Sequence, residues 1–145
     1  MDEKYMCYCG LYCENCAVKA KIPPAAKALY DELVAAEFEE IIQYMPGGDA
    51  FWPFLKDIAC NGTCSSCREG SGNPSCAVRV CAQEKGVDMC ALCGSYPCAL
   101  FDAFFVGYPI LEHDNALLRD KGPEAWGALQ DERRASGFVY QHKKA

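Results

Sequence analysis

Residues 60–98 read CNGTCSSCREGSGNPSCAVRVCAQEKGVDMCALCGSYPC, and this stretch carries eight of the twelve cysteines of the chain. Two CxxC pairs lie in it and a third lies near the N-terminus: Cys13/Cys16, Cys64/Cys67 and Cys90/Cys93. A CxxC turn folds back on itself and directs both sulfurs at one point. Zinc and iron–sulfur clusters are held by four such thiolates. Three pairs in one chain therefore predict a fold that depends on thiolate-bound metal.

The spacing favours one complete local site, formed by Cys81-x8-Cys90-x2-Cys93-x4-Cys98. The two remaining pairs would then build a second site that joins the N-terminus to the central loop, with Cys9, Cys60 and Cys76 as competing ligands. We expect Cys7 to be a bystander, because a buried cysteine often serves as a small hydrophobe. The candidate metal ligands are Cys9, Cys13, Cys16, Cys64, Cys67, Cys76, Cys81, Cys90, Cys93 and Cys98.

Zinc is the metal that this pattern favours, in an accessory protein whose metal builds a platform for a partner. The alternative is a 4Fe-4S cluster for redox or electron transfer, because Cys90-x2-Cys93-x4-Cys98 also resembles iron–sulfur modules of corrinoid and electron-transfer proteins. A metal- or thiolate-dependent enzyme is a third alternative. The CxxxCxxC spacing at 9–16 and at 60–67 resembles the cluster loop of radical S-adenosylmethionine enzymes. Those enzymes need a partial αβ barrel that a short helical chain lacks.

Cysteine usage and the N-terminus predict the compartment. Residues 1–7 lack a basic segment followed by an apolar run, so no secretory signal is expected. No stretch approaches the 18 or more apolar residues of a membrane span. We therefore expect a cytoplasmic, reduced chain without a membrane partner. In that setting clustered cysteines indicate metal more often than disulfides.

The charge argues against nucleic acid as a partner. The formal net charge is −6, and two four-thiolate sites with divalent ions would bring it to about −10. Residues 1–50 hold nine acids against four bases, and only the C-terminal end is basic, with Arg133, Arg134, Lys143 and Lys144. A protein partner remains open, whereas a phosphate backbone requires a basic face.

Hydrophobic periodicity predicts a mainly α, small single domain (1–145) of short helices around cysteine-rich loops, with at most a minor hairpin. Residues 60–98 form its cysteine core and residues 108–137 its closing helices. One amphipathic helix of about five turns follows Pro23-Pro24 and ends at Pro46-Gly47-Gly48. Its apolar face holds Tyr30, Leu33, Val34, Phe38, Ile41, Ile42 and Met45.

Five further helices are predicted. A short, buried one follows Asp49 as N-cap. Glycine and proline signals then place helices at 75–85 and 98–106, and a closing pair at 111–121 and 123–135, separated by Gly122 and ended by Gly137. Core-facing candidates in the closing pair are Leu117, Leu118, Trp126 and Leu129. His113 and His142 are the only histidines, and we expect His113 on the surface.

With these motifs the chain resembles a prokaryotic cysteine-rich family, domain of unknown function 3795. The matching segments are Cys9-Gly-Leu-Tyr-Cys13-x-x-Cys16, Cys64-x-x-Cys67, residues 72–86 with Cys76, Arg79 and Cys81, Cys90-x-x-Cys93, Tyr96-Pro97-Cys98 and residues 115–126. The resemblance implies a metal-binding protein of anaerobe-rich prokaryotes and no defined activity. Cys7 and Cys60 are the two cysteines that it leaves without a place.

Overall fold

The computed structural model describes residues 1–140, apart from the side chains of residues 103 and 104. Its regular elements are α1 (Ala17–Ala20), α2 (Ile22–Ala35), α3 (Glu39–Ile42), α4 (Gly48–Asn61), α5 (Ala77–Glu84), α6 (Ala99–Gly107) and α7 (Ile110–Ala135). Short 3-10 turns occupy Glu3–Tyr5, Cys13–Asn15 and Cys90–Leu92. The predicted mainly α class is confirmed. The nearest feature to a hairpin in residues 1–140 is one antiparallel bridge between Met6 and Tyr12.

The described chain forms two compact units. The first unit comprises residues 1–16 and 65–140, and the second unit comprises Ala17–Cys64. Ten of the twelve cysteines belong to the first unit, and Cys60 and Cys64 belong to the second. The prediction of a single domain stays a prediction. Lys143, Lys144 and His142 lie outside the described residues.

The predicted five-turn helix is wrong, because the chain breaks it after Ala35. Glu37 adopts a left-handed backbone with φ 52°. Its N–H donates to the carbonyl of Val34, and the N–H of Phe38 donates to that of Leu33. This pair of bonds is a Schellman ending, which normally places glycine where Glu37 stands. Hydrophobic periodicity continues across such a break and therefore does not reveal it.

The helix α4 also differs from its prediction. Its N-cap is Gly47, and Asp49 lies in the first turn without capping it. Trp52 and Leu55 are buried, whereas Phe51 and Phe54 are exposed, so α4 presents only one face to the interior of the second unit. Trp52 packs against Tyr30 with ring centroids 5.3 Å apart, and it donates a hydrogen bond to Glu39 over 3.0 Å.

The first unit follows its predicted helices closely. The helix α5 begins at Ala77 with Cys76 as N-cap, and α6 ends at Gly107. Gly122 has non-helical backbone angles and divides α7 into the two predicted helices, and Gly137 follows its end with φ 75°. Of the core-facing candidates, Leu118 and Trp126 are fully buried and Leu117 and Leu129 are half-buried.

The core of the first unit has two parts. Leu118 and Trp126 pack with Met6, Tyr12, Met89 and Ala91. The other part consists largely of cysteine, with Cys7, Cys9, Cys13 and Cys90 buried beside Val78, Ala82 and Phe101. Among the described residues, no helix combines the length and apolar character needed to cross a membrane.

Candidate metal centre

Four cysteines line one small cavity of the first unit. They are Cys81, Cys90, Cys93 and Cys98, and the cavity has a volume of about 20 Å³. Cys81 lies on α5, Cys90 begins a 3-10 turn that Cys93 directly follows, and Cys98 directly precedes α6. Val78, Val87 and Phe101 supply apolar walls. These are the four residues that the sequence predicts for the local site, and the fold brings them to one place.

Burial in this cavity disfavours a negative charge on the Cys90 thiol. The pKa of Cys90 is raised to about 12, first by desolvation and then by the neighbouring sulfurs of Cys9, Cys81, Cys93 and Cys98. A bound cation reverses that penalty, because a coordinating thiol loses its proton.

A second group of sulfurs lies around Cys7, the cysteine that the spacing analysis sets aside. The Sγ atoms of Cys7 and Cys13 are 3.3 Å apart. Cys9 and Cys67 pack in the same cluster, within side-chain reach of Cys7. These contacts and burial raise the pKa of Cys7 well above its usual value, and the hydrogen bond from Cys7, with Arg79 nearby, lowers that of Cys67. We call Cys7, Cys9, Cys13 and Cys67 the N-terminal thiol cluster.

The other candidate ligands are distributed more widely. Cys76 is half-buried at the start of α5, and Cys16 is half-buried after the turn that contains Asn15. Cys64 belongs to the second unit, where its carbonyl accepts a hydrogen bond from Lys19 over 3.1 Å. Cys60 is exposed on α4. The predicted pairing of Cys64 with cysteines of the first unit stays a prediction.

The cysteines of the described chain are free thiols. Among residues 1–140, no group of three or more Cys, His, Asp or Glu side chains is arranged to hold a metal ion as the side chains stand. Binding at either group of sulfurs would therefore require thiol side chains to turn toward a common ion. His113 is exposed beside Asp114, as a surface residue should be.

Two arginines fix the loops that carry the cysteines. The buried Arg79 donates hydrogen bonds to the carbonyls of Cys67, Ser71, Asn73 and Pro74. Arg68 donates to the carbonyls of Met6 and Asp88, and it lies over the ring of Tyr8. The loop of residues 67–74 has no regular structure of its own, so these bonds give it its shape.

The closing helix α7 anchors the N-terminal cysteine loop through buried amides, a role that sequence reasoning missed. Asn115 donates to the carbonyl of Cys9 over 3.1 Å and to the hydroxyl of Tyr96 over 2.9 Å. Asn15, within the Cys13/Cys16 pair, donates to the side chain and the carbonyl of Gln130. An asparagine on a helix or inside a CxxC pair has no sequence signature of burial.

Gly10 of the cysteine loop packs directly against Asn115 of α7. Its φ is +97°, and an added Cβ would lie 1.9 Å from the Oδ1 atom of Asn115. We expect Gly10→Ala to destabilise the protein by more than the ~1–3 kcal/mol of backbone strain alone. Gly137→Ala is the matched control, because Gly137 has φ +75° and open space around it. Urea unfolding of both variants measures the difference, and equal losses would contradict the close contact.

Fold and site together define a small helical protein organised around clustered cysteines. A family model described as "Protein of unknown function (DUF3795)" matches residues 5–103. The chain belongs to this family, as its motifs predict. No curated protein matches the chain. No solved structure matches it either.

Proposed function

We propose that this protein binds zinc through Cys81, Cys90, Cys93 and Cys98, and that the ion has a structural role in an accessory, partner-binding protein. The observation that carries the proposal is that these four thiols line one cavity. Four cysteines are a complete tetrahedral donor set for zinc, with a Zn–S distance of about 2.3 Å. A site closed by four protein ligands leaves no position for water, which is why the role is structural and not catalytic.

The cavity has room for a single ion. Its volume of about 20 Å³ exceeds the ~10–15 Å³ that one water-sized sphere requires. A 4Fe-4S cluster is held by the same number of thiolates. The metal analysis must therefore distinguish zinc from an iron–sulfur cluster.

The second unit supports the partner-binding part of the proposal. Large apolar side chains are exposed at Val18, Ile22, Leu29, Val34, Ile41, Tyr44, Met45, Phe51 and Phe54. Single exposed apolar residues are ordinary on protein surfaces, but larger apolar areas are typical of binding surfaces. The negative charge of the chain favours a protein partner over nucleic acid.

Metal analysis of protein purified without oxygen tests the site. We expect a colourless protein that contains zinc, and we expect Cys93→Ser to lose one zinc ion per chain. Cys60→Ser is the matched control, since Cys60 is exposed and lies in the other unit. A brown protein with absorbance near 400 nm and stoichiometric iron would show that the site holds an iron–sulfur cluster and not zinc. Full zinc content in Cys93→Ser would refute the proposed ligand set.

A further inference from the structure

The sulfurs of the N-terminal thiol cluster converge on Cys7. Cys7, Cys9 and Cys13 are each at least nine-tenths buried. Cys67 is half-buried and contacts Cys7 from the central loop. Three cysteines come from a segment of seven residues and the fourth lies 54 positions beyond the last of them. The contact with Cys67 is therefore a product of the fold and not of local spacing.

The separation of the Cys7 and Cys13 sulfurs is too long for a covalent bond and close to that of two ligands of one ion. A disulfide requires a sulfur–sulfur distance of about 2.05 Å, whereas Cys7 and Cys13 are 3.3 Å apart. Four sulfurs at about 2.3 Å from a tetrahedral zinc ion lie about 3.8 Å from one another. Cys7 and Cys13 therefore need to move apart only by roughly half an ångström to become neighbouring ligands.

The backbone around this cluster is fixed in advance. The N–H of Cys7 donates to the carbonyl of Leu11, and the N–H of Gly10 donates to that of Cys7, which forms a tight turn. Asn115 holds the carbonyl of Cys9, and Arg79 holds that of Cys67. A site whose supporting groups are already bonded loses little freedom when it binds an ion. The Arg79 guanidinium also offsets the −2 charge of a four-thiolate site with a divalent ion.

We propose that Cys7, Cys9, Cys13 and Cys67 form a second thiolate site for one divalent ion of the zinc type, separate from the cavity site. Binding releases to solvent the protons that these thiols still carry and forms four metal–sulfur bonds, with no change of oxidation state. The ligand set divides the CxxC pairs, taking Cys13 without Cys16 and Cys67 without Cys64. It also gives a role to Cys7, which neither the spacing nor the family pattern assigns.

Native mass spectrometry of anaerobically purified full-length protein tests the second site. We expect two zinc ions per chain, one in Cys7→Ser, one in Cys93→Ser, none in the double variant, and two in the Cys60→Ser control. Two ions in Cys7→Ser would overturn the second site, as would a Cys7–Cys13 disulfide. One ion in the wild type that Cys93→Ser removes would overturn the second site and leave the cavity site standing. One ion in the wild type that Cys7→Ser removes and Cys93→Ser retains would overturn the cavity site and leave the second site standing.

Cobalt substitution keeps the test decisive if Cys7→Ser fails to fold. Cys7→His retains a metal ligand at the same position and should still bind two Co²⁺ ions. We expect its sulfur-to-cobalt charge-transfer absorbance to fall by about an eighth relative to the wild type, since one of eight thiolates is replaced. An unchanged cobalt spectrum in Cys7→His would overturn the assignment of Cys7 as a ligand.

Discussion

Removal of the metal by a strong chelator under reducing conditions is expected to abolish the cooperative unfolding transition of the first unit. A structural zinc site contributes an apparent ~10–16 kcal/mol in small peptides. The whole stability of a domain is only ~5–15 kcal/mol. One of the two parts of the core of the first unit is built largely of cysteine, so its packing depends on the metal–sulfur bonds.

The two tryptophans allow the unfolding to be assigned to one of the two units. Trp126 is fully buried in the core of the first unit, and Trp52 is buried in the second unit. In Trp52→Phe, Trp126 is the single tryptophan of the chain. We expect its emission to shift to the red on chelation and to recover when zinc is added back. An apo protein that keeps buried Trp126 emission and melts like the metal-loaded form would refute a structural role for the metal.

The sequence predicted the helices of the first unit because their ends carry explicit signals. Gly86 and Gly137 each follow a helix end with positive φ, and Gly122 divides α7. The grouping of the four cysteines that line the cavity was equally predictable from the sequence, because they lie within eighteen residues. Local spacing and stop signals need no knowledge of tertiary contacts.

What could not be predicted depends on contacts between distant segments or on an unusual residue in a special conformation. The contact of Cys7 with Cys67 joins positions sixty residues apart. Glu37 ends α2 in a conformation that glycine normally adopts. The buried amide of Asn15 pairs with Gln130 and that of Asn115 pairs with Cys9, more than a hundred residues away in each case. Helix propensity and hydrophobic periodicity carry no information about these contacts or about the backbone conformation of Glu37.

The largest effect expected away from the metal is the loss of one partner of the buried ion pair in α7. Asp114 is completely buried, and its carboxylate accepts hydrogen bonds from both terminal nitrogens of Arg133, with Nη2 at 2.9 Å from Oδ1. Arg133→Met leaves Asp114 as an uncompensated buried charge, with Gln130 as its remaining interior donor. Breaking such a pair typically costs about 3–5 kcal/mol. Urea unfolding of the metal-loaded protein measures this loss.

Two further variants separate the energetic cost of leaving a buried charge unpaired from the cost of losing a side chain. Arg134→Met is the matched control, because Arg134 pairs with Glu14 on the surface, where ion pairs contribute at most about 1 kcal/mol. Adding Asp114→Asn to Arg133→Met removes the buried charge and is expected to recover more than half of the lost free energy of unfolding, since replacing both members of a pair costs far less than removing one. If Arg133→Met and Arg134→Met lose the same small amount, the pair does not stabilise α7. If the double variant is no more stable than Arg133→Met, the loss comes from the packing of Arg133 over the ring of Phe138 and not from charge.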